Sequence, residues 1–299
     1  VKSRCPETGR ACAGLWRIEP EEKAVEALYG AARIEAVFQA ARGEGRCLLI
    51  PYLTLGYPTP RASLALVRAV TEAGADIVEL GIPFSDPLAD GPTIQRATHV
   101  ALEQGMTVTR CLESAAALRC GGVQVPFLFM TYYNPILAYG EAPFCRACRE
   151  SGVDGLIVPD LPLEEAASLQ EACEREGLAL VFLLAPTSTD ERIRKVAGRS
   201  RGFIYLVSVT GVTGAREHLP PDLAAFVQRV RRQTDQPLCV GFGISLPEQV
   251  QEVARVADGV IVGSAILERA AKEDGIEQVG SFVSTLRRAL DPRLTRGSL

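Results

Sequence analysis

The chain has 299 residues, a net charge of −4, 47% hydrophobic residues and 23% charged residues. That is the composition of an ordinary globular protein, long enough for one large or two medium domains. The mild negative charge gives no electrostatic reason to bind nucleic acid, and no apolar run approaches the ~20 residues of a membrane span.

Residues 1–30 read as an N-terminal extension of unassigned role, with a helix-like stretch at 24–28. They hold no apolar core of the kind a secretory signal needs. The acidic stretch EPEE at 19–22 argues against an acid-poor transit peptide. A cytoplasmic location is expected, with a plastid as the alternative if residues 1–30 are the remnant of a transit peptide. The nine cysteines are odd in number and lack disulfide-like spacing, which fits a reducing compartment. Cys47 and Cys239 sit in apolar runs and read as core residues. Cys145 and Cys148 form a CxxC, but no second pair or nearby histidine completes a zinc site.

From residue 47 onward, short apolar runs alternate with amphipathic segments. The first run is 48–54 (LLIPYLT), followed by a helix over 63–73. The second is 75–81 (ADIVELG), followed by helices over 93–104 and 108–118. The third is 125–132 (VPFLFMTY), with a helix over 144–150. The fourth is 155–160 (GLIVPD), with a helix over 164–176. The fifth is 179–185 (ALVFLLA), with a helix over 190–197. The sixth is 202–208 (GFIYLVS), with a helix over 223–233. The seventh is 237–242 (PLCVGF), with a helix over 247–256. The eighth is 259–262 (GVIV), leading into a short helix at 265–270 and on through 290. The runs are continuous rather than alternating, as for strands buried on both faces of a parallel sheet. Eight strand–helix units over ~250 residues predict a (β/α)8 barrel over 31–291, with 292–299 as a tail. A doubly wound open sheet is the alternative, but the first strand ends in LTLGYP, without a GxGxxG.

In such a barrel the chemistry lies at the C-terminal strand ends. The second strand ends in Glu79 and enters ELGIPFSDPLADGP, a loop stiffened by Pro83, Pro87 and Pro92. It carries Asp86 and Asp90; Asp76, just upstream of the strand end, reads as structural. The fourth strand runs to Asp160, and the sixth carries Tyr205. The last three loops cluster glycines and small hydroxyls, including Gly214, Gly243, Gly263 and Ser264. Such backbone approaches an anion closely, so a phosphate site is expected there. No lysine lies at a strand end, which speaks against a Schiff-base aldolase. His99 reads as a structural helix residue and His218 as an exposed loop residue, and two isolated histidines do not make a metal site. Carboxylates, a tyrosine and a bound phosphate remain. They point to acid–base work on a phosphorylated substrate without metal or organic cofactor.

ELGIPFSDPLADGP, YLVSVTGVTG, GFGIS and GSAI together resemble the tryptophan synthase alpha chain family over roughly residues 34–290. The resemblance implies a barrel that splits indole-3-glycerol phosphate into indole and glyceraldehyde 3-phosphate. Glu79 and Asp90 fall on the family's catalytic carboxylates. Glu79 is expected to handle both proton transfers, with a raised pKa, and Asp90 to accept the indole N–H. Tyr205 falls on a supporting tyrosine. Gly214, Gly243, Gly263 and Ser264 map to phosphate-binding segments. Tyr52, Phe127, Tyr132, Leu156 and Asp160 are expected to line the indole pocket, and Thr213 to meet Asp90 when its loop closes. Val209 stands where some relatives carry arginine. Family members pair with a pyridoxal-phosphate-dependent β chain, in an α2β2 heterotetramer. Pro83, Asp86, Asn134 and Pro135 correspond to the docking surface, and the cofactor belongs to the partner. The rivals are a stand-alone lyase releasing free indole, a non-catalytic regulatory barrel, and another phosphate-binding barrel enzyme.

Overall fold

The computed structural model describes residues 28–207, 219–241 and 243–291. Strands β1 (Leu48–Thr54), β2 (Val78–Gly81), β3 (Phe127–Met130), β4 (Gly155–Ile157) and β5 (Ala179–Val181) pair in parallel in chain order. The other half holds β6 (Leu183–Leu184), β7 (Ile204–Val207), β8 (Leu238–Gly241) and β9 (Gly259–Val262), and β9 returns to pair with β1. β5 and β6 are two pieces of one apolar run, separated by Phe182. The first piece pairs with β4 and the second with β7, so this run closes the barrel. The eight expected runs are all present, the fifth of them split.

Helices cover the outside: α1 (Gly30–Glu44), α2 (Pro60–Glu72), α3 (Pro92–Glu103), α4 (Val108–Cys120), α5 (Tyr133–Tyr139), α6 (Glu141–Glu150), α7 (Ala167–Arg175), α8 (Asp190–Arg199), α9 (Leu223–Arg231), α10 (Pro247–Ala254), α11 (Ser264–Ala270) and α12 (Gly275–Ala289). Their starts follow local chemistry. Thr59, Thr107 and Thr189 each accept an N–H from the first turn of α2, α4 and α8. Proline opens α2, α3 and α10, where its missing N–H costs nothing. Two helices were not expected from the sequence, α1 and α5. α1 begins where Gly30 N–H donates to Asp154 (2.8 Å) and Ala31 N–H to the Gly177 carbonyl (3.0 Å). Of the helix-like stretch 24–28, residues 24–27 lie outside the described residues.

Strand register sorts the side chains. Parallel partners directly opposite share a face, so Tyr52, Glu79 and Leu128 point into the barrel together. Gly81 and Met130 form the next layer up. Phe129, Leu156 and Leu180 form an outward-facing row against the helices.

The N-terminal ends of the strands are sealed by three aspartates placed just before a strand. Asp76 accepts the Leu49 N–H (2.8 Å) and pairs with Arg46 (2.5 Å) and Arg287 (2.8 Å). Asp154 accepts the Phe127 and Gly30 N–H groups (3.0 and 2.8 Å) and pairs with Arg119 (2.8 Å) and Arg33 (3.5 Å). Asp258 accepts the Leu238 N–H (2.8 Å) and pairs with Arg231. Each ties the start of one strand to its neighbour, which fixes register at the barrel base. Asp76 thus has the structural part expected of it. Cys145 and Cys148 are buried free thiols, and the Cys145 and Cys173 sulfurs are 3.7 Å apart. His99 lies on the exposed face of α3, 3.3 Å from Glu103, so it has no core role.

Candidate active site

Toward the opposite end, Glu79 lies on the inward face of β2, one layer below Gly81, with no solvent exposure. Neither carboxylate oxygen has a hydrogen-bond partner in the structure. Burial alone pushes its pKa up to about 8, so it holds a proton at neutral pH. Asp90 lies at the far side of the β2–α3 loop and is also buried. Burial raises its pKa to about 6, and a hydrogen bond from Tyr132 opposes that rise. Asp90 is therefore mostly ionised at neutral pH. The loop is held in place by the Tyr132 hydroxyl, which accepts the Ala89 N–H (2.9 Å), and by Phe84, whose ring packs 5.5 Å from the Tyr132 ring. Gln95 donates to the Asp90 carbonyl (2.8 Å), tying the loop to the first turn of α3.

A cavity opens beside Glu79. About 430 Å³ of empty space lies there, counted together with the solvent at its mouth. Tyr52, Ile94, Met130 and Tyr205 line it with Glu79, together with Gly243, Gly263 and Ser264. Gly243 adopts φ +77°, a left-handed conformation natural to glycine. Ser264 opens α11 directly after β9. Tyr205 and Tyr52 each lie over a glycine of the next strand. A Cβ on Gly241 would collide with the Tyr205 hydroxyl, and one on Gly81 with the Tyr52 hydroxyl. Glu79 and Asp90 both act electrostatically on these two phenols.

The structure thus brings together Glu79, Tyr52, Tyr205, Gly243, Gly263 and Ser264, with Asp90 and Tyr132 adjoining through the loop. Phe127 and Leu156 lie elsewhere, contrary to the expectation that they line a pocket. The Phe127 ring packs under the Arg119 guanidinium (3.8 Å), near the barrel base. Leu156 faces the helices in the same row as Phe129. Asp160 is exposed and accepts the Tyr133 N–H (2.9 Å), which anchors the start of α5. Pro83 is buried, so it cannot itself form a docking surface, whereas Asp86 and Asn134 are exposed and Pro135 is half-buried. Thr213, Gly214, Val209 and His218 lie outside the described residues. Met130, Ile94, Ile244 and Ile261 line the cavity without having been expected there. Leu88 in the β2–α3 loop is 86% exposed and Leu137 on α5 is 51% exposed, two large apolar side chains left facing solvent. Among the described residues, no group of three or more His, Cys, Asp or Glu side chains could hold a metal ion.

Fold and cavity define a (β/α)8-barrel protein with a pair of buried carboxylates at the C-terminal face, the face where such barrels carry their chemistry. The family model described as "Tryptophan synthase alpha chain" matches residues 38–291. A tryptophan synthase alpha chain of Dehalococcoides mccartyi is 52% identical, covering 87% of this chain and all of its own length. Another, from Chloroflexus aggregans, is 50% identical over 85% of this chain and 96% of its own. The solved Mycobacterium tuberculosis tryptophan synthase superposes with a TM-score of 0.80 at 40% identity, covering 86% of this chain and 98% of that one. Tryptophan synthase subunit alpha of Legionella pneumophila does so with 0.81 at 36% identity, covering 89% and 99%. The chain belongs to the tryptophan synthase alpha chain family. The family's reaction is the retro-aldol cleavage of indole-3-glycerol phosphate, a carbon–carbon lyase activity in tryptophan biosynthesis.

Proposed function

We propose that this chain cleaves indole-3-glycerol phosphate with Glu79 as the proton-transfer group and Asp90 as the anion beside the indole nitrogen. The observation that carries this assignment is that Glu79 is fully buried with neither oxygen hydrogen-bonded, whereas the buried Asp90 is hydrogen-bonded by Tyr132; burial pushes the first up to about 8 and the second to about 6. At neutral pH the first is an acid and the second an anion, a division of labour set by environment. Glu79 gives its proton to ring carbon C3, which turns the indole into an electron sink. Asp90 accepts the indole N–H and offsets the positive charge that develops there. The Glu79 carboxylate then takes the proton of the adjacent side-chain hydroxyl. The C–C bond breaks, its electron pair returns to the ring, and the hydroxyl carbon leaves as the aldehyde. Gly243, Gly263 and Ser264 would hold the phosphate together with Gly214, and Thr213 would meet Asp90 when its loop closes. Tyr205 would support Glu79 from the opposite wall, and Tyr52 and Tyr132 would bound the ring, beside Met130 rather than Phe127.

The same reading gives the chain no cofactor of its own and a pyridoxal-phosphate-dependent β chain as partner, in an α2β2 assembly. Leu88 and Leu137 supply exposed apolar anchors next to Asp86, Asn134 and Pro135, the composition of an interface rather than of a solvated loop. The bacterial relatives favour a cytoplasmic enzyme over a plastid one, and the barrel with residues 1–30 set aside as an extension remains the working division of the chain. The test is indole release from indole-3-glycerol phosphate, with and without a β chain. Stimulation by the β chain supports a synthase subunit. Equal rates with and without it point to a stand-alone lyase, and no release at all points to a non-catalytic barrel.

A further inference from the structure

The Tyr52 hydroxyl occupies a particular place. Tyr52 is the register partner of Glu79 on the adjoining strand. Its ring begins beside Gly263, where an added Cβ would lie 3.4 Å from the Tyr52 Cβ, and its hydroxyl ends over Gly81. The phenol thus runs from beside Gly263 to above Gly81 along the cavity wall. At its tip the hydroxyl is 3.3 Å from the Thr54 hydroxyl, one layer above on the same strand. Two hydroxyls sharing one hydrogen bond hold two protons and use one. With Thr54 as the donor, the Tyr52 hydroxyl accepts that bond and keeps its own proton to offer. Of the carboxyls that act electrostatically on the Tyr52 phenol, both Glu79 oxygens and Asp90 Oδ1 have no hydrogen-bond partner. Burial and the surrounding carboxyls push the Tyr52 phenol far above its ordinary pKa, so it serves only as a neutral donor.

We infer that Tyr52, held by a hydrogen bond donated by Thr54, is a positioning residue whose own hydroxyl proton steadies the Glu79 carboxylate once the Glu79 proton has gone to the substrate. The inference rests on the reaction proposed above. A carboxylate formed at the fully buried Glu79 needs a donor, and a hydrogen bond to a charged group is stronger than one between neutral groups. A neutral Glu79 needs that donor far less, so the effect falls on the proton-transfer step and not on binding. Among the described residues, the other titratable groups facing Glu79 are Tyr205 from β7, Cys239 from β8 and Asp90 from the loop. The last is itself engaged by Tyr132. None of these bears the Thr54 tether.

Tyr52→Phe removes the hydroxyl and keeps the ring. Cleavage by the holoenzyme with its β chain should lose roughly ten-fold or more in kcat, with KM within about two-fold. The basic limb of the kcat–pH profile should move up by about half a unit or more, since the Glu79 anion has lost a donor. Thr54→Val should shift both readouts the same way by less. Tyr52→Phe/Thr54→Val should be no worse than Tyr52→Phe alone. An unchanged kcat and pH profile in a Tyr52→Phe protein that melts like wild type would overturn the inference, as would additive losses in the double variant. If wild type itself released no indole, the proposed reaction would fail instead, so the two failures are distinguishable.

Discussion

The two ends of the barrel use carboxylates in opposite ways. At the base, Asp76, Asp154 and Asp258 each meet an arginine and a backbone N–H. Burial pushes the Asp154 carboxyl up, but two guanidiniums and two amides favour its charged form. Arg119, pushed down to about 10, stays cationic at neutral pH. At the mouth, Glu79 has no partner for either oxygen and Asp90 lacks one for Oδ1. The paired set holds strand register. The unpaired set leaves high-energy acceptors for something that arrives later. The difference separates stability from chemistry within one fold, and it lies in the partners rather than in the residue type.

Breaking the unpaired end should abolish function and spare the fold. Glu79→Gln is expected to lower cleavage by ~10²–10⁴-fold while circular dichroism and melting remain native. More than a tenth of wild-type turnover would remove Glu79 from the proton-transfer role. Breaking the paired end should do the reverse. Asp154→Ala strands Arg119 and Arg33 without their counter-charge and should cost about 3–5 kcal/mol in denaturant unfolding, with kcat kept in the fraction that stays folded.

The pH dependence of stability sharpens the contrast. The Glu79 pKa is about 8 in the folded chain against an ordinary 4.5. Between those values the folded state holds a proton that the unfolded state has released, so stability falls as pH rises through this window and levels off above about 8. Glu79→Gln lacks this loss. Its stability relative to wild type should therefore grow from about pH 4.5 to 8, by at most about 5 kcal/mol, and unfolding curves at several pH values would show it. A smaller effect is expected at the rim. Leu88→Asp should weaken β-chain binding about ten-fold in titration, as expected for an exposed apolar anchor. Basal cleavage by the isolated chain should be unchanged, because the Leu88 side chain points away from the protein.

Much of the fold was legible because a barrel strand buried on both faces leaves a continuous apolar run, and eight of them occur. The helix α5 was hidden by Pro135, which reads as a breaker. It stands in the first turn, where no intrahelical N–H is required. The helix α1 did leave a signal, since its buried residues Gly30, Ile34, Phe38 and Ala41 recur at helical spacing. Glu79 and Asp90 stood out as acids in a proline-stiffened loop after a strand. The pocket walls did not stand out. Runs such as FLFM and GLI carry no polar residue to mark which face is inward. Phe127 and Leu156 were therefore placed one residue out of phase with Leu128, Met130 and Gly155, and only the pairing with Glu79 and Gly81 fixes the parity. The basal Asp154 and Asp258 were passed over because their arginine partners are distant in sequence.

The contrast between the two ends rests on Glu79 holding its proton at neutral pH. A 13C NMR titration of the glutamate side-chain carboxyls, with Glu79→Gln identifying the resonance, measures this directly. A midpoint near 8 in the free chain is predicted. A midpoint near the ordinary 4.5 would mean that Glu79 is a solvated or paired carboxylate like those at the base, and would contradict its role as the acid.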